Sequence, residues 1–479
     1  MNLAEYAAYD GLGLAELVRK GEVTAKELGE LALTAVSRTN PHINAVIETY
    51  ADRVEAMSQD DQPVGVFGGV PFMLKDLFMA DAGRKSESGS RLTQGWVATE
   101  DAWLTQRFKA AGLSILGRTT TPEFGLSGST ESILTGATRN PWDLSKMAGG
   151  SSGGAAAAVS SGIVPLAHAS DGAGSIRIPA SCCNLVGLKV SRGRVSSYPD
   201  PEMAYNYAVN FIVSRTVRDT AAMLDAVSGA APGDFTVIAE PKRPFLDELQ
   251  GKKRSLRIAV TTDQWGPAPT DPEVAAVVHN VAKMCETLGH DVVLASPRYD
   301  YESFLEAMLV MWTFGVDTYF EEMAGEMGRM VSSETLEPVT LDYYEFAKKL
   351  TPKDFVQATA VLNKVNRDTG HFFEEYDVLL TPTLSMLPQE IGRYAQSRDM
   401  SFYNFFRLCD ESMAYLPLFN MNGHPAISLP LGMSQSGLPI GLQFAGRFGD
   451  EATLIQLAGT LEEAVPWNNR MSRMHVGKD

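Results

Sequence analysis

The chain has 479 residues and a mass of 51.9 kDa, with 44% hydrophobic and 21% charged residues. That is enough apolar side chain for a sizeable core, without the polar bias that marks disorder. Its 41 Lys and Arg against 58 Asp and Glu give a formal charge of -17, which disfavours nucleic acid or an anionic membrane surface as a partner.

Composition hardly changes along the chain, so a single domain over 1–479 is expected. The N-terminal segment has no basic stretch followed by an apolar run, so no signal peptide is expected, and apolar runs such as 155–159 are too short to span a bilayer. Four cysteines, two of them the neighbours Cys182 and Cys183, make a poor disulfide framework and suit a reducing compartment, with the cytoplasm as the expected location. Apolar positions at Leu28, Leu31, Ala32, Ala35 and Val36 predict a helix. The run GVFGGVPFMLKDL predicts a strand entered through glycines, which puts Lys75 near a strand end. An amphipathic helix closed by Gly112 is expected within 101–117, with the short strand SILG after it.

Further along, 256–260 reads as a strand and about 271–288 as a helix with Pro272 in its first turn, followed by the strand DVVLA. Val274, Val277, Val278, Val281, Cys285 and Leu288 recur on one face of that helix. Later strands are expected at YDVLLTPT, PAISLPLG and PIGLQFAG. This alternation predicts an α/β fold, a central mixed twisted sheet covered by helices on both faces. The polar stretch 240–255 reads as a connector and a candidate lobe boundary. Residues 301–416 are expected to be mostly helical and to shape the substrate pocket; they are rich in Met and aromatics, including Trp312, Phe314, Tyr319, Phe320, Phe405, Phe406, Met413 and Tyr415. Such residues either pack a core or wall an apolar pocket.

The informative segments are MAGGSSGGAAAAVSSG and HASDGAGSIRIPASCCNLVGLK. Glycine pairs on both sides of Ser151 and Ser152 free the backbone for unusual dihedrals, and the small run 155–158 lets a following helix pack closely. A flexible linker shares that composition, but here apolar positions continue straight into a helix with a buried pattern. In the second segment, Asp171, Gly172, Ala173, Gly174 and Ser175 are expected to form a tight turn whose N–H groups converge on one point. That arrangement is an anion-binding nest suited to the oxyanion of a tetrahedral intermediate. Phosphate loops have similar composition, yet no GxxxxGKS or GxxxxGKT occurs, and neither segment fits GxGxxG.

Together these residues resemble the amidase signature family. The family's K-D dipeptide, GGSSGG and D-x-G-G-S-I-R are met by Lys75 and Asp76, by 149–154 and, with one change, by 171–177; Ser175 follows Ser151 by twenty-four residues, as the family would place it. The resemblance extends to GATRNPW from Gly136, GLK from Gly187, GHPAISLP from Gly423 and GLPIGLQ from Gly437, and covers nearly the whole chain. It implies the amidase signature fold, no cofactor and a small-molecule amide or carbamate substrate; the oligomeric state stays open, with a homodimer as the general expectation. Residue by residue, it implies Ser175 as nucleophile, Ser151 as a bridging serine after a cis peptide, and Lys75 as general base. The amides of Gly172, Ala173, Gly174 and Ser175 would form the oxyanion hole, with Ser152, Asp171 and Arg177 in support and Ser127 and Gly128 near the substrate.

The chemistry agrees with that assignment. A serine hydroxyl is a weak nucleophile until a base takes its proton, and a lysine serves as that base only when burial lowers its pKa. Lys75, between apolar Leu74 and the Asp76-Leu77 pair, is placed for such burial. Three positions depart from the family: Ala173 and Asn184 stand in for glycines, and Val190 for a proline. The D-x-A-G-S form resembles the branch acting on cyclic amide dimers and related synthetic amides or carbamates more than the glutaminase branch.

Three other readings compete. Gly150-Ser151-Ser152-Gly153-Gly154 satisfies GxSxG, which would make Ser152 the nucleophile of a Ser-His-Asp esterase with His424 as base. A glutaminase subunit of a tRNA-dependent amidotransferase shares the signature and the approximate length. A non-catalytic binding module is weakened by the presence of all three reactive residues. Metal chemistry has no motif behind it, since HExxH and CxxC are both missing and the seven histidines are scattered.

Overall fold

The structure, a computed structural model, describes residues 1–61, 63–199, 206–251 and 253–478. An eight-stranded mixed sheet runs in the order Asp291–Leu294, Arg257–Val260, Val378–Pro382, Pro439–Gly446, Ala426–Met433, Val186–Lys189, Val209–Ser214, Leu166–Asp171. The first three strands are parallel and the rest pair antiparallel, with helices packed around them as the alternating pattern predicts. The expected crossover is present: Arg257–Val260 leads through helix Pro272–Thr287 to Asp291–Leu294. Asp271 caps that helix by accepting the Glu273 N–H. Its buried stripe is Val274, Val278, Val281 and Cys285; Val277 is half-buried, and Leu288, already past the last helical turn, is exposed. The apolar face is thus narrower than its spacing predicts.

A second, three-stranded sheet has Ser114–Thr119 between Val46–Thr49 and Pro71–Lys75. Helix Ala25–Ile43 starts at a capping box between Thr24 and Glu27 and buries Leu28, Ala32, Ala35 and Val36. Pro71–Lys75 is buried at every residue, so Lys75 ends its strand inside the protein. Helix Gly153–Ser160 is also buried throughout. A Cβ on Gly154 would lie 2.5 Å from the Thr120 amide nitrogen, so only glycine lets this helix approach that closely.

The three strands at the far end of the eight-stranded sheet escape the sequence pattern: Leu166–Asp171, Val186–Lys189 and Val209–Ser214. They are buried along nearly their whole length, and the first carries the polar His168, Ser170 and Asp171. Stretch 240–255 contains helix Phe245–Glu248, whose Phe245 is buried and whose first amides donate to Asp225 at 2.6 and 2.9 Å. Residues 301–416 form helices Tyr301–Thr313, Val316–Glu326, Pro338–Ala347, Pro352–Glu375 and Phe402–Met413, as expected, with Val378–Pro382 passing through them into the main sheet. Among the described residues no helix is long and apolar enough to cross a membrane.

Candidate active site

Lys75 is fully buried, and its Nζ lies 2.7 Å from Ser151 Oγ and 2.8 Å from Ser170 Oγ. The peptide bond between Gly150 and Ser151 is cis. Burial drives the Lys75 pKa down to about 7, against the opposing pull of the Asp171 charge. A large fraction of the lysine is therefore a neutral amine near neutrality. Behind it, His168 Nδ1 accepts the Lys75 main-chain N–H at 3.2 Å, and His168 Nε2 lies 3.3 Å from Asn210 Oδ1. Burial, helped by the nearby Lys75 charge, holds His168 down at about 3, so it is neutral. Burial alone does not make such a base. Lys189 is buried as completely, but its Nζ donates to Val190 O at 2.9 Å, away from the serines. Asp76 faces away too, accepting from Arg118 at 2.8 Å and the Glu87 N–H at 2.7 Å.

The chain leaves strand Leu166–Asp171, makes the predicted turn, and enters helix Arg177–Cys183. Asp171 organises the turn: it accepts the Gly174 N–H at 2.6 Å and the Ile176 N–H at 3.2 Å. Arg177 grips the same carboxylate at 2.9 and 3.0 Å and also donates to Gln443 Oε1, Asn420 Oδ1 and Leu416 O. Burial pushes the Asp171 pKa up, but the Arg177 charge and hydrogen bonds outweigh it and hold the carboxyl below its usual range. Gly174 has φ 128°, and a Cβ there would stand 2.6 Å from Leu416 Cδ1. Ala173 is not among the residues with positive φ, which explains why alanine is accepted where the family has glycine. Asn184 has φ 60° and ends helix Arg177–Cys183, a left-handed role in which asparagine substitutes well for glycine.

Ser175 is half-buried and lines a cleft with Ala173, Leu126, Ser127, Gly128 and Ile178; Trp312, Phe405, Phe406 and Met413 wall its other side. Among the described residues its hydroxyl has no hydrogen-bond partner. The cleft volume is about 50 Å3, room for only a few waters. Two wider grooves, about 480 and 1230 Å3, contain none of the predicted site residues.

Lys75 and Ser151 are thus in direct contact, and Ser175 shares its cleft with Ser127, Gly128 and Ala173. Ser127 lines the cleft, but its hydroxyl is taken up in the scaffold, donating to Tyr394 O at 2.7 Å and accepting the Ser129 N–H at 3.0 Å. Ser152 is buried, with Oγ 3.2 Å from both the N and O of Ser170. His424 lies elsewhere, bonded through Nδ1 to Gly446 O at 2.9 Å and stacked on Phe373. The esterase pairing of Ser152 with His424 is therefore not formed. Sequence reasoning missed Ser170, His168, Asn420 and Gln443. Only Ser170 and His168 had a local signal: two apart on one strand, they face the same way, toward Lys75.

Comparison with known proteins adds three likenesses and a family match. The model of the amidase family matches residues 27–455. The 6-aminohexanoate-cyclic-dimer hydrolase of Paenarthrobacter ureafaciens is 37% identical over 477 residues, 97% of this chain and 96% of its own. A solved structure of 6-aminohexanoate cyclic dimer hydrolase complexed with substrate superposes with TM-score 0.89 at 35% identity, covering 98% of this chain and 99% of that one. A bacterial aryl acylamidase of the amidase signature family gives TM-score 0.85 at 26% identity, with 96% of each chain covered.

Proposed function

This chain belongs to the amidase signature family, an enzyme that hydrolyses amide C–N bonds, and on that premise we propose that the reaction runs through an acyl-enzyme on Ser175 with Ser151 and Lys75 moving the protons. The observation that carries the residue roles is a fully buried lysine, pKa about 7, in hydrogen-bond contact with Ser151. Neutral Lys75 accepts the Ser151 proton, and Ser151 takes the proton of Ser175 as Ser175 Oγ attacks the carbonyl carbon. Ser170 accepts an Nζ–H of Lys75, which turns the lone pair toward Ser151.

The negative charge that develops on the carbonyl oxygen is met by the turn amides of Gly172, Ala173 and Ser175. The Gly174 N–H is drawn instead to Asp171, so its part is to hold the turn in shape. Collapse of the tetrahedral intermediate breaks the C–N bond while Lys75 returns its proton through Ser151 to the leaving nitrogen, since an amide anion is a poor leaving group. Water then repeats the sequence on the acyl-enzyme, releasing the acid and restoring Ser175. Asp171 and Arg177, with Ser152, keep the array rigid.

The preferred substrate in this reading is a medium-sized amide or carbamate with an apolar chain, one that fits between Ile178 and the aromatic wall of 301–416. Likeness to cyclic-dimer hydrolases over nearly the full chain favours that reading over a glutaminase subunit. The four cysteines are free, in keeping with a reducing compartment such as the cytoplasm. The test is release of 4-nitroaniline from acyl anilides, and of aryl amine from matched carbamates, by the intact protein and by Ser175→Ala. Release is expected to disappear in the variant. Release that persists would return attention to Ser152.

A further inference from the structure

Pro71–Lys75 is an edge strand of the three-stranded sheet and Leu166–Asp171 an edge strand of the eight-stranded one, and the two edges pack against each other as parts of separate sheets. The Asp76 N–H donates back into its own sheet, to Thr119 O at 3.1 Å. Neighbouring N–H groups along a strand point to opposite sides, so the Lys75 N–H points out of that sheet, toward the other edge. There it meets a side chain instead of a strand: His168 Nδ1 accepts it at 3.2 Å. Both residues are fully buried, so bulk water cannot take the place of the imidazole, and a buried N–H left unpaired is costly.

The imidazole is itself held. An Nδ1 that accepts leaves the proton on Nε2, which lies 3.3 Å from Asn210 Oδ1. Asn210 stands opposite Ser170 on the neighbouring strand, and its Nδ2 donates to Ser197 Oγ at 3.4 Å. Phe108 meets the ring edge-on, with centroids 5.9 Å apart. Neutrality is part of the fit, because an imidazolium has donors at both nitrogens and could not accept the Lys75 N–H; burial keeps the ring uncharged. Two residues further along the same strand, Ser170 Oγ is 2.8 Å from Lys75 Nζ. One strand thus holds Lys75 at both ends, main chain and amine, before it reaches Asp171 and the turn that carries Ser175.

Resting on the reading that Lys75 is the general base, we propose that His168 is a positioning residue for it: the imidazole fixes the Lys75 main chain so that Nζ, held by Ser170, stays within hydrogen-bond reach of Ser151. A lysine carries its amine on a flexible four-carbon stem. A contact at the tip therefore does not place Nζ unless the main chain from which the stem starts is fixed as well. Because the strand that supplies both contacts also leads into the turn, base and nucleophile are kept in register by one element.

The test replaces His168 with Asn, Gln or Leu and measures kcat and KM on 4-nitroanilides at pH 9, well above the Lys75 pKa of about 7. Asn puts its side-chain oxygen near the place of Nδ1, Gln puts it near that of Nε2, and Leu has no acceptor. His168→Leu and His168→Gln should lose about 100-fold in kcat with KM unchanged, as when a reacting group is misplaced by about 1 Å. His168→Asn should recover at least about tenfold of that loss. Asn and Gln are alike in polarity, so a general loss of stability would lower both together, and their comparison decides the matter even if His168→Leu does not fold. Equal kcat for the Asn and Gln variants, or a change confined to KM, would overturn the proposal. Lys75→Met separates the two readings: activity retained there overturns the base assignment, whereas an inactive Lys75→Met beside a fully active His168→Gln overturns the positioning role alone.

Discussion

Two regions meet at the cleft, and they are built on opposite principles. In the catalytic core, Lys75, Ser151, Ser152, Asp171 and Arg177 are buried and hydrogen-bonded; Arg177 links Asp171 to Gln443 and Leu416, and Asn420 bonds both Arg177 and Asp171. In the helical wall, aromatic rings and Met413 supply most of the surface, and Trp312 Nε1 is buried without a hydrogen-bond partner among the described residues. A fully paired network fixes the geometry of the chemistry before substrate arrives. A wall with flexible side chains and an unspent hydrogen-bonding atom is left for substrate to complete. In the proposed reading, the first region sets the reaction and the second the choice of substrate.

Replacing the base should separate function from stability in the core. Lys75→Met is expected to lower kcat by about 10,000-fold or more while raising the melting temperature. In the unfolded chain Lys75 holds its proton up to about pH 10.5, whereas in the fold it releases it near 7. Between those values the unfolded state binds more protons, so the native protein gains stability as pH rises from 7 to 10.5 and carries the full cost of burying the lysine below 7. The stabilisation by Lys75→Met should therefore be larger at pH 6 than at pH 9 in thermal melts. A melting temperature that falls at both pH values would contradict this.

Next in size is the ion pair. Asp171→Asn leaves the Arg177 charge buried and uncompensated, and urea unfolding should show a loss of about 3–5 kcal/mol. Phe406→Leu in the wall should cost only about 1 kcal/mol, since a volume-tolerant apolar contact replaces another. Comparable losses at the two sites would erase the distinction between paired core and adaptable wall.

The titration of Lys75 is read directly in rate. As pH drops below about 7 the base is protonated, and kcat/KM should fall about tenfold per pH unit. A profile flat from pH 5 to 8 would mean that the lysine is not the group that accepts the proton. The smallest expected change is at the floor of the cleft. A Cβ on Gly128 would collide with the end of Met413, so Gly128→Ala should raise KM by about tenfold for bulky acyl anilides. Adding Met413→Ala should restore much of that loss.

The sequence reveals reactive residues better than it reveals their companions. Lys75, Ser151 and Ser175 stand out because the segments that carry them resemble the amidase signature motifs in residues and spacing. The Asp171 turn was legible for the same reason, and Ala173 proves compatible because its backbone does not need glycine. Ser170 and His168 carried only the weak signal of alternate positions on strand Leu166–Asp171, and because the polar side of that strand is enclosed against Lys75 and not exposed, the alternation does not point to a site. Asn420 and Gln443 reach Arg177 from more than 200 residues away, and no local pattern encodes that contact. Ser127 lines the cleft beside Ser175, but that its hydroxyl is spent on Tyr394 depends on how 394 is folded back, which periodicity does not express. The helices of 301–416 were readable as helices; which of their residues, such as Trp312 and Phe406, line the cleft was not.

The most direct test of the account is to quench the enzyme during turnover of a slowly hydrolysed acyl anilide and map the acyl group by peptide mass spectrometry. The account predicts an adduct of the acyl mass on Ser175, formed with a burst of 4-nitroaniline equal to the enzyme concentration and missing from Ser175→Ala. An adduct on Ser151 or Ser152, or turnover with neither burst nor adduct, would contradict it.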